Sequence, residues 1–188
     1  EKTGLSLALG SNEITLLELV RAFSIFPNDG VLKEIQINQQ TKNKGKQVIK
    51  TDTARIICDF LSDKAAQSLG FGNAKVFNTE YPSIFKTGTA NQYQDIIALA
   101  ATKEYTVGVW LGNLNGETVI KKTGSSIPAL IARNILDYLT LPQLEQLDKK
   151  ESLKFHQPEQ YTKTQICTLS GCKPNQNCPS VSLEYVKN

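Results

Sequence analysis

Ile84-Phe85-Lys86-Thr87-Gly88-Thr89, then Tyr93-Gln-Asp-Ile-Ile-Ala-Leu-Ala-Ala-Thr102, then Tyr105-Thr-Val-Gly-Val-Trp-Leu-Gly-Asn113, is the stretch that decides the fold. The first piece is a short apolar lead-in ending in a polar motif. The second alternates and then runs apolar, and the third alternates again after a two-residue break at Lys103-Glu104. Period-two patterning with so short a break predicts three antiparallel strands in succession. On the first strand Thr87 and Thr89 are two residues apart and so share a face. Gly88 has no side chain and lets backbone or ligand approach closely.

Helical signals flank these strands. Thr15-Leu16-Leu17-Glu18 reads as a capping box opening a helix with Leu16, Leu19, Val20 and Phe23 on one face, ended by Asn28-Asp29-Gly30. Ile35 and Ile37 are expected to pair with Val48-Ile49 across a polar turn carrying Lys42, Lys44, Lys46 and Lys50 around Gly45. Asp52 is expected to cap a second helix that buries Ile56, Ile57 and Phe60. A third helix opens at Ser126 or Ile127 with Pro128 in its first turn, turns Leu130, Ile131, Ile135 and Leu139 inward, and ends before Pro142. Between Ser62 and Pro82 the pattern is irregular.

The chain has 188 residues and a formal net charge of +3, dispersed without a dense Lys/Arg tract or interleaved aromatics, which argues against a nucleic-acid groove. The four lysines near Gly45 read as a solvated turn. The longest fully apolar run of the strand region, 96–101, suits a buried strand and falls far short of the roughly 20 residues a membrane helix needs.

A Lys-Thr-Gly on the first of three such strands resembles the arrangement by which penicillin-recognising serine transpeptidases bind a substrate carboxylate. Over roughly the first three quarters of its length the chain is similar to class A, bifunctional penicillin-binding proteins, closest to the 1C type. Gly4-Leu5-Ser6-Leu7-Ala8-Leu9-Gly10-Ser11 with 13–19, and the ungapped stretch 86–113 including Asp95, carry the resemblance. So does the tail Ile166-Cys167-Thr168-Leu169-Ser170-Gly171 with Cys178-Pro179. Departures are Ala90, where the family usually has Ser or Thr, Gln94, where Arg is common, and Ile97, where an aromatic is usual.

The resemblance implies an α/β (α+β) transpeptidase fold, represented by its C-terminal portion: three antiparallel strands flanked by helices over residues 1–142, then a polar, cysteine-containing tail or linker over 143–188. It implies that Lys86, Thr87, Gly88 and Thr89 bind the carboxylate of a peptidoglycan stem peptide or a β-lactam. Lys86 would also assist proton transfer, and the Thr89 N–H would form half of an oxyanion hole. The other half, and the nucleophile, belong to Ser-x-x-Lys and Ser-x-Asn motifs that the family carries upstream. No Ser-x-Asn occurs here, and the two Ser-x-x-Lys matches, Ser83 to Lys86 and Ser170 to Lys173, fall outside any helical pattern. On an extended segment, residues three apart point to opposite faces, so neither pair suits proton transfer.

The expected protein is thus part of a D-Ala-D-Ala transpeptidase, inactive alone and acting outside the cytoplasm. Its parent would carry a membrane anchor, a glycosyltransferase module and the missing N-terminal half of the transpeptidase domain, and no cofactor is called for. The same resemblance implies a five-stranded sheet, so the strand over 105–113 would expose an edge and invite self-association. A non-catalytic extracytoplasmic module that binds peptidoglycan or a partner is the alternative, favoured by Ala90 and Gln94.

Asp95 either orders the loop after the motif or ends the turn between strands. Trp110, the only Trp, reads as core, and His156, the only His, offers no Ser-His pair. Cys58 reads as a buried small hydrophobe. Cys167, Cys172 and Cys178 lack the two-residue spacing of zinc ribbons; a zinc site shared with His156 is the minor alternative. The family's extracytoplasmic setting implies a Cys167–Cys178 disulfide that leaves Cys172 over.

Overall fold

The computed structural model describes residues 4–37, 45–64, 67, 75–119, 127–145 and 151–188. Lys42 and Lys44 of the expected turn, Ser126 at the expected start of the third helix, and part of the irregular stretch between Ser62 and Pro82 lie outside the described residues.

Helix α1, Leu16–Phe23, starts as its sequence dictates: the Thr15 hydroxyl accepts from the Glu18 N–H at 3.2 Å and a Glu18 carboxylate oxygen accepts from the Thr15 N–H at 3.1 Å. The chain turns immediately after it through Asp29 and Gly30, at φ 54° and 89°. The N–H groups of Val48 and Ile49 both donate to the Gly30 carbonyl, and a Cβ on Gly30 would lie 2.3 Å from the Ile49 carbonyl oxygen. This tight return sets the hairpin register nearer the helix than expected. Strand β1, Val31–Leu32, pairs with β2, Lys46–Gln47, while Ile35 and Ile37 are exposed and unpaired with Val48-Ile49.

Strands β3, Ile84–Thr89, β4, Asp95–Ala101, and β5, Thr106–Gly112, form the expected antiparallel sheet in the order β3-β4-β5. Thr102 closes the β4–β5 turn, its hydroxyl accepting from the N–H groups of Glu104 and Tyr105. Helices cover both faces. On one, α1 and α2, Thr51–Ser62, bring Phe23 and Cys58 onto Ile84, Leu99 and Ala101. Gly108 permits the close approach of α1, since a Cβ there would meet Val20 Cγ2 at 2.2 Å. On the other, α3, Ile127–Leu144, lays Ala129, Ala132 and Leu136 against Phe85, Ala98 and Ala100.

These contacts correct the expected inward faces. In α2 the buried positions are Ala54 and Cys58, and Phe60 is 56% exposed. In α3 they are Pro128, Ala129, Ala132, Leu136 and Thr140, while Leu130, Ile131 and Ile135 lie on the exposed side. Small side chains win because they let a helix lie close on a sheet face that is itself built of alanines. Nor does Pro142 end α3: the helix runs to Leu144 with Pro142 inside its last turn, where one missing N–H breaks only one bond. Asp52 does not cap α2 either. Lys50 is the N-cap, with no side-chain hydrogen bond, and the Asp52 carboxylate instead accepts the N–H groups of Glu159 and Gln160 at 2.8 and 3.0 Å.

Segment 75–81 is fastened to α3 by polar groups. Tyr81 Oη donates to Asp137 Oδ1 at 2.6 Å, and Arg133 bridges Asp137 and the carbonyls of Val76 and Asn78. Burial, and then the bond to Asp137, push the Tyr81 hydroxyl pKa well above the usual range. The tail is not featureless: β6, Tyr161–Cys167, and β7, Val181–Lys187, form an antiparallel hairpin.

Candidate active site

Lys86, Thr87, Gly88 and Thr89 are the last four of the 6 residues of β3, an outer strand of the sheet among the described residues. Burial changes abruptly along this one strand. Ile84 and Phe85 are buried, Thr87 is half-buried, and Lys86, Gly88 and Thr89 are exposed. The apolar lead-in anchors the strand in both cores and leaves the motif at the surface.

Paired residues of an antiparallel ladder share a face. The register Gly88↔Ile97↔Trp110 therefore sets Lys86, Gly88, Asp95, Ile97, Trp110 and Gly112 on the face that α1 and α2 cover at the other end. Thr87 and Thr89 project to the α3 face. The Lys86 ammonium donates to the Thr87 carbonyl at 2.7 Å. Beyond Thr89 the Ala90 N–H donates to the Asp95 carbonyl at 2.8 Å, and Gln92 and Tyr93 follow in left-handed conformation at φ 56° and 58°. Two such non-glycine residues in succession are uncommon and hold the β3–β4 connection in a defined turn.

That turn is tied to the next loop. Val119 N–H donates to the Tyr93 carbonyl and Gln94 Nε2 to the Gly116 carbonyl, and Asn113 Nδ2 donates to the Glu117 carbonyl. Trp110 is not core. It is 36% exposed, its indole lies over Gly112, and its Nε1–H donates to Asp95 Oδ1 at 2.8 Å. This link was invisible in the sequence, because only the β4–β5 register brings residues 95 and 110 together.

Of the two Ser-x-x-Lys matches, Ser83 is buried just before β3 with its Oγ 2.7 Å from Thr79 Oγ1. Ser170 lies in the turn between β6 and β7, where its Oγ accepts from the Cys172 N–H. Neither is helical. Cys58 is buried as expected, and burial followed by the Asp29 charge pushes its thiol up to about 12. Cys167, Cys172 and Cys178 are free thiols. The neighbouring Cys178, and then Ser170, lower the Cys167 thiol to about 7. No group of three metal-ligating side chains is assembled among the described residues.

His156 joins a charged cluster outside the sheet. Its Nδ1 is 2.8 Å from Asp29 Oδ2 and its Nε2 3.0 Å from Lys103 Nζ. Arg55 reaches Asp29 at 3.0 Å and Glu159 at 2.9 Å. Partial burial pushes the Asp29 carboxyl up, but Arg55 and His156 together outweigh it and hold the group below its ordinary value.

A mixed fold with this strand order, carrying a Lys-Thr-Gly-Thr on an outer strand, fits a transpeptidase-type module. The family model for the penicillin-binding protein transpeptidase domain matches residues 1–137, and the chain belongs to that family. Among curated relatives it is 34% identical over 119 residues to penicillin-binding protein 4 of Bacillus subtilis, covering 57% of this chain and 19% of that protein. It is 26% identical to penicillin-binding protein 1C of Escherichia coli over 67% of this chain and 16% of the relative. It is 20% identical to penicillin-binding protein 1A of Clostridium novyi over 88% of this chain and 19% of the relative. The chain thus spans less than a fifth of these relatives. The crystal structure of penicillin-binding protein 1A from Haemophilus influenzae superposes with a TM-score of 0.69 at 20% identity, over 96% of this chain and 33% of that one, and so shares its fold.

Proposed function

We propose that this chain supplies the carboxylate-binding part of a peptidoglycan D,D-transpeptidase acting on the extracytoplasmic side of a bacterial membrane. The observation that carries the reading is the position of Lys86-Thr87-Gly88-Thr89, largely exposed at the end of an outer strand whose first two residues are buried. Lys86, on the α1/α2 face, offers a charge for the terminal carboxylate of a stem peptide or for the carboxylate of a β-lactam, and Thr87 and Thr89 present hydroxyl donors on the opposite face of the strand. The Thr89 N–H provides one oxyanion donor. The nucleophile comes from a Ser-x-x-Lys segment in the N-terminal half of the same transpeptidase domain, so the chain by itself does not turn over. A membrane anchor and a glycosyltransferase module belong to the same proposed parent, and residues 143–188 serve as the tail that follows the domain. No helix among the described residues is long and apolar enough to cross a membrane.

The test joins this chain to the Ser-x-x-Lys-bearing half of a penicillin-binding protein and measures acylation by a fluorescent penicillin. Lys86→Ala should slow acylation by about 10²-fold or more, the scale of a lost acid–base partner, with the melting temperature unchanged. Equal rates would show the motif to be coincidental. The non-catalytic reading, supported by Ala90 and Gln94, instead expects no acylation even in the joined protein, with binding of stem peptides that Lys86→Ala abolishes.

For the tail we propose that Cys167 and Cys178 form a disulfide in an oxidising compartment, supported by the influence of Cys178 on the Cys167 thiol, which lies well below its ordinary pKa. Mild oxidation should yield a linked Cys167–Cys178 peptide and leave Cys172 alkylatable. Preferential linkage through Cys172 would refute the pairing.

A further inference from the structure

The end of β3 is held by one residue from two directions. Asp95 opens β4, and its main-chain carbonyl takes the Ala90 N–H at 2.8 Å, one step past Thr89. Its carboxylate takes the Trp110 indole N–H, also at 2.8 Å, from β5. Asp95 pairs with Gly112 in the β4–β5 ladder, and a Cβ on Gly112 would stand 2.3 Å from Trp110 Cζ2. The indole can cross to the carboxylate only because residue 112 is glycine. Trp110 in turn belongs to a strand braced by α1 through Gly108. Rigidity is thereby passed from α1 through β5 and the indole to the residue that terminates the Lys86–Thr89 strand.

The turn is also tied to the loop after β5, by Val119 N–H on the Tyr93 carbonyl and Gln94 Nε2 on the Gly116 carbonyl. Gln92 and Tyr93 sit in left-handed conformation, and Asp95, Gln94 and Tyr93 are all exposed. Left-handed non-glycine residues persist only where their surroundings over-determine them. The Asp95 side chain reaches from this turn to β5 beside the main-chain pairing of Asp95 with Gly112. A carboxylate used as a hydrogen-bond acceptor this way takes up one of its lone pairs and fixes its orientation.

We propose that Asp95 is a positioning residue: its carboxylate, locked on the Trp110 indole, fixes the point at which the Lys86-Thr87-Gly88-Thr89 strand ends, and so the line along which that strand meets a substrate carboxylate. The proposal rests on the carboxylate-binding reading above. It assigns no contact between Asp95 and substrate.

Two measurements separate it from that reading. The first needs no catalysis: hydrogen exchange of the Ala90 amide in this chain, followed by NMR with the Trp110 indole resonance. Asp95→Ala and Trp110→Phe should each speed Ala90 exchange by about three- to tenfold, the scale of one net hydrogen bond, and the double variant should add nothing further. Asp95→Asn keeps an oxygen acceptor and should retain slow exchange and the indole shift, and Lys86→Ala should leave both unchanged. Unaltered Ala90 exchange in Asp95→Ala, or additive effects in the double variant, would overturn the proposal. The second uses the protein joined to its nucleophile half and compares acylation by a penicillin with that by its methyl ester. Asp95→Ala should narrow the preference for the free acid by about three- to tenfold at unchanged melting temperature, with Asp95→Asn restoring it. Loss of the acid preference in Lys86→Ala together with a full preference in Asp95→Ala would leave the carboxylate reading standing and refute the positioning role. If Lys86→Ala keeps the preference, the carboxylate reading fails, and Ala90 exchange alone decides whether Asp95 clamps the strand.

Discussion

The sheet and the C-terminal hairpin both lean on α2, by different physics. Around β3, β4 and β5 the contacts are apolar and close: Ala98, Ala100, Ala129, Ala132 and Leu136 are completely buried on one side, Ile84 and Ala101 on the other. The hairpin and the segment before it are tied instead by charged and polar groups. Arg55 links Asp29 to Glu159, Lys163 reaches Asp59 at 2.8 Å, and Asp52 takes two N–H groups from residues 159 and 160. Tyr185 Oη adds a bond to Gln157. Packing fixes the strand that carries the site, whereas the tail is held by groups that salt and pH can reach.

The comparison breaks hardest at Leu136. Replacing this fully buried residue with Ala should cost about 2–5 kcal/mol in urea unfolding and be insensitive to salt, since it opens a cavity between α3 and β4. A loss below about 1 kcal/mol would mean that α3 is not a wall of the sheet.

Arg55→Ala should come next. It leaves the one-third exposed Asp29 and the far more exposed Glu159 without their shared cation, and about 1–2 kcal/mol of hairpin docking should disappear after allowing for solvent screening. Limited proteolysis between 145 and 160 should accelerate while amide protection in β4 stays as it was. Equal loss of protection in both regions would erase the distinction drawn above.

Acid offers a milder version of the same cut. The folded-state pKa of Asp29 lies below its ordinary value of 3.8, so its contribution is complete above that value and is lost as pH falls through the lowered one. The wild-type chain should therefore lose hairpin protection below about pH 4 relative to Asp29→Asn, and the two should run parallel from pH 5 to 7. Wild-type hairpin protection that instead rises relative to Asp29→Asn as the pH falls below about 4 would reverse the sign.

The smallest effect is expected at Thr15→Ala, where loss of the capping box should cost about 1 kcal/mol and loosen α1 on β5 without touching the hairpin.

How far the sequence could be read follows the range of each interaction. The three strands and the Thr15–Glu18 box depend on residues within a few positions of one another, and they stand where the pattern places them. The helix faces were misread because Ile56, Phe60, Leu130, Ile131 and Ile135 outweigh Ala54, Cys58, Ala129 and Ala132 on any hydrophobicity count. It is the small residues that fit an alanine-lined sheet. The β6–β7 hairpin passed as a polar tail since most of both its faces is solvated and carries little alternation in burial. At the site, Lys86 to Thr89 were legible as a motif. The Asp95–Trp110 bond and the Asp29–Arg55–His156 cluster join residues 15, 26 and 127 positions apart, which only cross-strand register and tertiary packing reveal.

The central claim is that this chain brings the carboxylate-binding strand and leaves the nucleophile to a partner half. Intact-mass spectrometry after exposure to a penicillin tests it most directly, with the 188-residue chain alone and then mixed with a separately expressed Ser-x-x-Lys-bearing half. The account predicts no adduct on this chain in either sample, and in the mixture a stoichiometric adduct on the partner half that disappears with Lys86→Ala. A stoichiometric adduct on this chain, at Ser83 or Ser170, would contradict it.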